Sequence, residues 1–247
     1  MIGAVLLLLA PAAALGQSVA TELYNQANAL YQQGQFEAAR DQYAQAAGRG
    51  AADPRLYYNL GNACFKAGRL GEAVLWYERA LRLAPRDEDI RANLRYANQV
   101  KQDREPQDGN AVWDVLMGLF LLLTVNEASL LFSFSLLAAS GLAAWGLLEP
   151  AGRPALWRPL LVLCCALLVA CGGYLMARVY HREAVVEAVV TGAEGSARSG
   201  PDASQTTVFV VHEGTKVRVV RTEGSWMLVR LANGLGGWLP ASVVEVI

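Results

Sequence analysis

Two stretches of this chain run uncharged for long enough to cross a bilayer, and they dictate that the chain is built in parts. Ala128 to Leu148 gives twenty-one such residues and Leu160 to Ala177 gives eighteen. A helix of about 20 apolar residues matches the hydrocarbon thickness of a membrane. Lipid offers the backbone no hydrogen-bond partner, so each run must satisfy itself as a helix. The connection between the runs is short, which makes residues 128–179 a transmembrane helical hairpin. Ser129, Ser133, Ser140 and Ala144 on the first helix, and Ala166, Ala170, Gly173 and Ala177 on the second, form stripes of small residues that let two helices approach in lipid. Neither span carries a charged residue in its core, which argues against transport or a proton relay.

The segment before the hairpin, 106–127, reads as a polar linker and an interfacial helix. Pro106 to Asn110 holds turn formers, and Val115 to Val125 supplies eleven uncharged residues, too few to span. A glutamate at mid-membrane costs about 2.5–3.5 kcal/mol, so the helix should not continue through Glu127. The sequence predicts an interfacial or re-entrant helix anchored by Trp113, with Asn126 capping the next helix and Glu127 in its first turn. At the front, Ile2 to Leu15 is almost wholly apolar and ends on Ala14-Leu15-Gly16. Residues 1–16 read as a signal peptide, with an uncleaved anchor as the alternative because no basic residue precedes the apolar run.

Orientation follows from arginine placement. Arg153 and Arg158 outweigh Glu149 in the inter-span loop and put it in the cytoplasm, whereas Arg178 and Arg182 beyond the second span argue the reverse. The export signal breaks the tie. The expected location is the cell (inner) membrane, with both flanking domains on the periplasmic or external side.

Residues 17–110 carry twelve Lys/Arg against twelve Asp/Glu, and residues 184–247 carry five against six. Neither part has the basic excess that nucleic-acid binding requires. The four cysteines, Cys64, Cys164, Cys165 and Cys171, show no metal-ligand spacing, and His181 and His212 are the only histidines. No nucleophile with an acid–base partner stands at a suggestive spacing. A non-enzymatic protein without metal or cofactor is expected.

Residues 17–105 repeat with a period of thirty-four. Asn25, Asn28, Ala29, Gly34, Ala39, Tyr43 and Ala46 recur as Asn59, Asn62, Ala63, Gly68, Ala73, Tyr77 and Ala80, while Glu37 faces Gly71, and Asn59-Leu60 recurs as Asn93-Leu94. This period marks stacked helix-turn-helix units. Tyr57-Tyr58-Asn59-Leu60-Gly61-Asn62-Ala63-Cys64, with Gly68, Ala73, Tyr77, Ala80 and Pro85, resembles the tetratricopeptide family. A helix from about Asp87 to Lys101 would then cap two full units. The resemblance implies a concave groove for extended peptides or partner helices, lined by Tyr24, Asn28, Tyr31, Tyr58, Asn59, Asn62, Phe65 and Lys66. The asparagines could bind a peptide backbone or tie the helices together, and the sequence leaves both open.

From residue 184 to 247 the pattern changes to short β-rich runs at Val185–Val190, Thr207–Val211, Lys216–Val220, Trp226–Arg230 and Val243–Ile247. Glu213-Gly214 and Glu223-Gly224 supply turns, and Gly192 to Ser204 reads as a long loop. His212-Glu213-Gly214-Thr215, Gly224-Ser225-Trp226 and Gly236-Gly237-Trp238-Leu239-Pro240 resemble a bacterial SH3 domain. That family implies a small all-β barrel that binds cell-wall peptides or proteins, with Trp226, Trp238 and Pro240 as groove residues and core packing as the alternative for Trp238. Val243 stands where polyproline-binding members carry tyrosine, which argues against a PxxP groove.

The order of these parts resembles the BatE-type membrane proteins of aerotolerance operons. The resemblance implies a membrane scaffold with protein partners, among them von Willebrand A-domain membrane proteins and a MoxR-type ATPase system. The alternative is a sensor or anchor that binds peptidoglycan. The expected fold class is multidomain: all-α helical repeats, a two-helix transmembrane hairpin and a small all-β SH3-like barrel.

Overall fold

The computed structural model describes residues 19–50, 52–103, 111–148 and 154–247. The expected signal peptide, the linker at 106–110, Arg153 and the side chain of Trp113 lie outside the described residues. Residues up to 106 and from 186 onward form one compact unit, and residues 107–185 form another.

The first unit opens with five helices: α1 over 19–32, α2 Phe36–Arg49, α3 Pro54–Lys66, α4 Leu70–Leu83 and α5 Glu88–Val100. Their ends are set locally. Asp53 caps α3 by accepting from the amides of Arg55 and Leu56, with Pro54 in the first turn, and Asp87 caps α5 through the amides of Asp89 and Ile90. Gly34 and Gly68, one period apart, take φ of 76° and 79°, and each precedes an amide (Gln35, Arg69) that reaches back five residues to a helix carbonyl (Leu30, Cys64). Such left-handed ends suit glycine. The helices pack through small residues: Ala27, Ala39, Ala46, Ala63, Ala73, Ala80 and Ala97 are fully buried. Gly61 faces the Tyr77 ring, and a Cβ placed there would lie 2.7 Å from it.

The same unit ends in a seven-stranded antiparallel sheet: β1 Val186–Val190, β2 Glu194–Arg198, β3 Thr207–His212, β4 Lys216–Glu223, β5 Trp226–Arg230, β6 Gly236–Pro240 and β7 Val244–Val246, in the order β3-β2-β6-β5-β4-β1-β7. Gly214 and Gly224 turn at φ 82° and 56°. Two strands depart from the sequence expectation. Glu194–Arg198, taken as loop, pairs with β3 and touches β6, and Gly236–Pro240 pairs with β5 along its length. Both are glycine-bearing and short, so alternation failed to mark them. Ala188, Val190, Ala197, Val211, Val217, Val229, Leu239 and Val244 fill the sheet's core.

Sheet and repeats share a second core, because Val189 of β1 is fully buried within the helical cluster and Ile247 packs against it. Around this contact Arg79 reaches the Val246 carbonyl at 2.6 Å and Glu245 at 2.9 Å, Arg82 reaches the Ile247 carbonyl at 2.8 Å, and Lys216 lies 3.4 Å from Glu78 and 3.2 Å from Glu187.

The second unit contains α6 Ala111–Phe120, α7 Val125–Leu148 and α8 Trp157–Ala184. The last two are long and apolar enough to cross a membrane by length and composition. The cap of α7 is Thr124, not Asn126: Thr124 Oγ1 accepts from the Glu127 amide at 3.2 Å while Glu127 Oε2 accepts from the Thr124 amide at 2.8 Å. This reciprocal pair is a capping box, which starts the helix one residue before Asn126. Ser129, Ser133 and Ser135 donate to carbonyls of their own helix. Trp157 Nε1 donates to the Leu142 carbonyl at 3.0 Å, and its indole occupies the space where Gly146 lacks a side chain.

Candidate functional site

The expected groove residues are joined by hydrogen bonds that repeat with the sequence. Tyr43 Oη donates to Asn28 Oδ1 at 2.6 Å, and one period later Tyr77 Oη donates to Asn62 Oδ1 at 2.7 Å. Between units, Asn59 Nδ2 donates to Tyr24 Oη at 2.8 Å and Asn93 Nδ2 to Tyr58 Oη at 3.1 Å. Asn93 Nδ2 also reaches Asn62 Oδ1 at 2.8 Å. The ring pairs follow the same step, with centroids 5.7 Å apart for Tyr24 and Tyr43 and 6.1 Å for Tyr58 and Tyr77.

Electrostatics fix the direction of these bonds. Burial, aided by neighbouring phenols, pushes the Tyr43 and Tyr77 hydroxyls far above their ordinary value, so both stay protonated and donate. Burial raises Tyr31 as well, with Tyr58 adding to it. Asn28 and Asn62 therefore present Oδ1 to the tyrosines. Their Nδ2 atoms are not among the buried atoms lacking a partner, and they make no hydrogen bond among the described residues. Each amide thus ties neighbouring helices through its oxygen, Asn28 joining α1 to α2 and Asn62 joining α3 to α4 and α5, while its nitrogen stays free of the array. Asn59 spends its donor inside the array.

Tyr24, Tyr31, Tyr58 and Phe65 are half-buried, and Lys66 is exposed. Phe65 packs tilted against Tyr96 with centroids 5.5 Å apart, and Tyr31 edge-on to Phe36 at 5.2 Å. Tyr43, Tyr77 and Tyr96 were not assigned a part in this cluster from sequence. The thirty-four-residue match already contained the buried pair Tyr43 and Tyr77 and was the signal that could have placed them.

On the barrel, Trp226 stands opposite Pro240 and Leu228 opposite Trp238, which puts Trp226, Trp238 and Pro240 on one face of β5 and β6. They contribute unequally. Trp226 and Pro240 are half-buried, whereas Trp238 is 6% exposed, with the Arg221 guanidinium 5.1 Å above its ring. Trp238 holds the face together more than it presents surface.

A third cluster, unexpected from sequence, joins the barrel to the repeats. Glu213 Oε2 accepts from the Gly71 amide at 3.0 Å, in the first turn of α4. Arg69, the residue before that helix, supplies no side-chain cap. Asp103 accepts from the His212 amide at 2.7 Å, the His212 ring Nδ1 at 2.9 Å and Thr215 Oγ1 at 2.7 Å. Burial alone would raise the Asp103 carboxyl, but hydrogen bonds from the His212 amide, the Thr215 hydroxyl and the His212 ring together hold it below its ordinary value. A cleft of about 320 Å3 opens beside this junction, between Gln102 and Asp103 on one side and Phe209, Val211, Leu231 and Leu235 on the other.

A tetratricopeptide repeat family model matches residues 24–88, and a bacterial SH3 domain model matches residues 194–245. The chain carries both modules. Among solved structures, the Sgt2 tetratricopeptide domain from Aspergillus fumigatus matches with 16% identity and a TM-score of 0.31, over 77% of this chain and 89% of that one. No curated protein sequence matches. Both modules are typically non-catalytic binding modules. Among the described residues no group of histidines, cysteines and carboxylates could hold a metal ion.

Proposed function

We propose that the chain is a membrane-anchored envelope scaffold that binds protein partners through its repeat groove, in the manner implied by its likeness to BatE-type proteins. The observation that carries this reading is the periodic tyrosine–asparagine ladder, which holds half-buried aromatics in place while leaving Nδ2 of Asn28 and Asn62 as free donors. Aromatic surface supplies contact area, and spaced amide donors can hold an extended backbone in register. The docked barrel stiffens the array from the α4 side. The membrane anchor is α7 and α8, with repeats and barrel on the periplasmic or external side. The partners of that likeness, von Willebrand A-domain membrane proteins and a MoxR-type ATPase system, are the first candidates. The test is capture of a purified von Willebrand A-domain partner by the full chain in detergent: Lys66→Glu should weaken it at least several-fold, and unchanged capture would remove the groove from the reading.

A second reading rests on the Trp226, Pro240 and Trp238 face, whose aromatic surface and nearby Arg221 suit a cell-wall peptide. Retention of the full chain on purified peptidoglycan, lost in Trp226→Ala and kept in Lys66→Glu, would favour this alternative. Sidedness is tested by cysteine labelling from outside at positions 152 and 204. Label at 204 alone supports the proposed orientation, and label at 152 alone reverses it.

A further inference from the structure

The second unit contains an apolar cavity whose setting points to a ligand. α6 is ten residues long, about 15 Å at 1.5 Å per residue, half the length that a hydrocarbon core requires of a spanning helix. Its end is not left bare. Tyr174 Oη of α8 donates to the Phe120 carbonyl at 2.7 Å, and Arg178 Nε donates to the Leu123 carbonyl at 3.2 Å. The Phe120 ring is enclosed by Tyr174 and His181, each edge-on at 5.8 Å, with the Arg178 guanidinium 5.3 Å above it. These contacts hold the end of α6 and its turn against α8 of the hairpin.

Behind this turn lies a cavity of about 310 Å3, walled by Leu119, Leu122, Leu123, Leu131, Ala170 and Tyr174. The Tyr174 hydroxyl is spent on Phe120. The space is an apolar groove open on one side, so in a bilayer the material that faces and fills it is hydrocarbon. At its rim, Arg178 directs Nε to Leu123, a wall residue, and its two terminal nitrogens make no hydrogen bond among the described residues. Arg182 follows one turn later and is exposed. Glu127, the acid in the first turn of α7, is held by the Thr124 amide and hydroxyl.

We infer that this cavity is a site for one anionic phospholipid, with an acyl chain between α6 and the hairpin and the phosphate on Arg178 and Arg182. Basic groups between membrane helices recognise anionic headgroups in this way. The inference rests on the membrane reading of α7 and α8. Guanidinium groups pair with phosphate oxygens through charge-assisted bonds, which supplies the preference for an anionic over a zwitterionic lipid.

The test uses the full chain. Carbonate-washed membranes are assayed first: a chain released into the wash overturns the membrane reading itself, before any lipid is compared. The detergent-purified chain is then titrated with phosphatidylglycerol and with phosphatidylcholine, and retained lipid is counted by native mass spectrometry. One phosphatidylglycerol should be held in roughly tenfold preference. Arg182→Gln, which touches no described hydrogen bond, should lower that preference, and Arg178→Gln/Arg182→Gln should abolish it. Ala170→Leu, which fills the cavity, should lower retention of both lipids. Equal retention of the two lipids by the parent chain, or a preference that survives the double substitution, overturns the headgroup site. Unchanged retention in Ala170→Leu overturns the cavity as the acyl site.

Discussion

Glu213, in the turn between β3 and β4, caps α4 of the repeats through the amide of Gly71, 142 positions earlier in the chain. Gly71 is also one of the places where the thirty-four-residue match breaks, opposite Glu37. A Cβ at Gly71 would lie 2.7 Å from the Val190 carbonyl and 2.9 Å from the Thr191 Cα. The first unit can carry its own acid in the first turn of its second helix. The second unit leaves that position bare, which lets the barrel approach; its own first-turn acid, Glu72, turns to Arg40 and Arg69, and Glu213 of the barrel takes the Gly71 amide.

Gly71→Ala should therefore loosen the barrel from the repeats while sparing each part's secondary structure. Glu213→Ala should cost about 0.5–2 kcal/mol, the range for losing a helix cap. Thermal melts and limited proteolysis between residues 103 and 186 check both. An unchanged melt and cleavage pattern in Gly71→Ala would contradict the docked arrangement.

Gly61→Leu should destabilise the repeats by about 1–3 kcal/mol, as overpacking does, because the Tyr77 ring fills the space beside it. The measurement is the denaturant midpoint of the full chain followed by helical circular dichroism.

Asn62→Ala should also destabilise, by about 1–3 kcal/mol, since it strips the acceptor from the buried Tyr77 hydroxyl. A combined Asn62 and Lys66 substitution thus mixes a fold defect with a groove defect. Lys66→Ala alone, at an exposed position, should leave the melt unchanged and report on partner binding only.

Acid should loosen the junction through Asp103. Its folded-state value lies below that of the unfolded chain, about 3.9, so the stabilisation is complete above that value and is lost as pH falls through the lower, folded one. Melts at pH 5, 4 and 3 should show a steeper loss in the parent chain than in Asp103→Asn, which begins weaker and titrates less. Parallel losses would remove Asp103 from the acid response.

The repeat period, the helix-breaking glycines and the two long apolar helices were legible because each is a local or periodic pattern. Gly34 and Gly68, or Tyr43 and Tyr77, announce themselves by recurring. The helix-tying bonds of Asn28 and Asn62 were not decidable, because residue type alone does not say which end of an amide is spent. β2 was hidden by Gly195 and Ser196, and the Thr124 cap by the more prominent Asn126. The barrel's docking left one trace, the Glu37-to-Gly71 mismatch, since contacts between residues more than a hundred positions apart have no local signature.

The contact of Asp103 with His212 also joins two stretches of chain that the sequence keeps apart. The first unit is discontinuous: the chain leaves it after residue 106 and rejoins it at residue 186. A cut anywhere in the intervening segment would turn that unit into a complex of two fragments, held by the Val189 core contact and the polar links of Asp103, Glu213, Arg79 and Lys216.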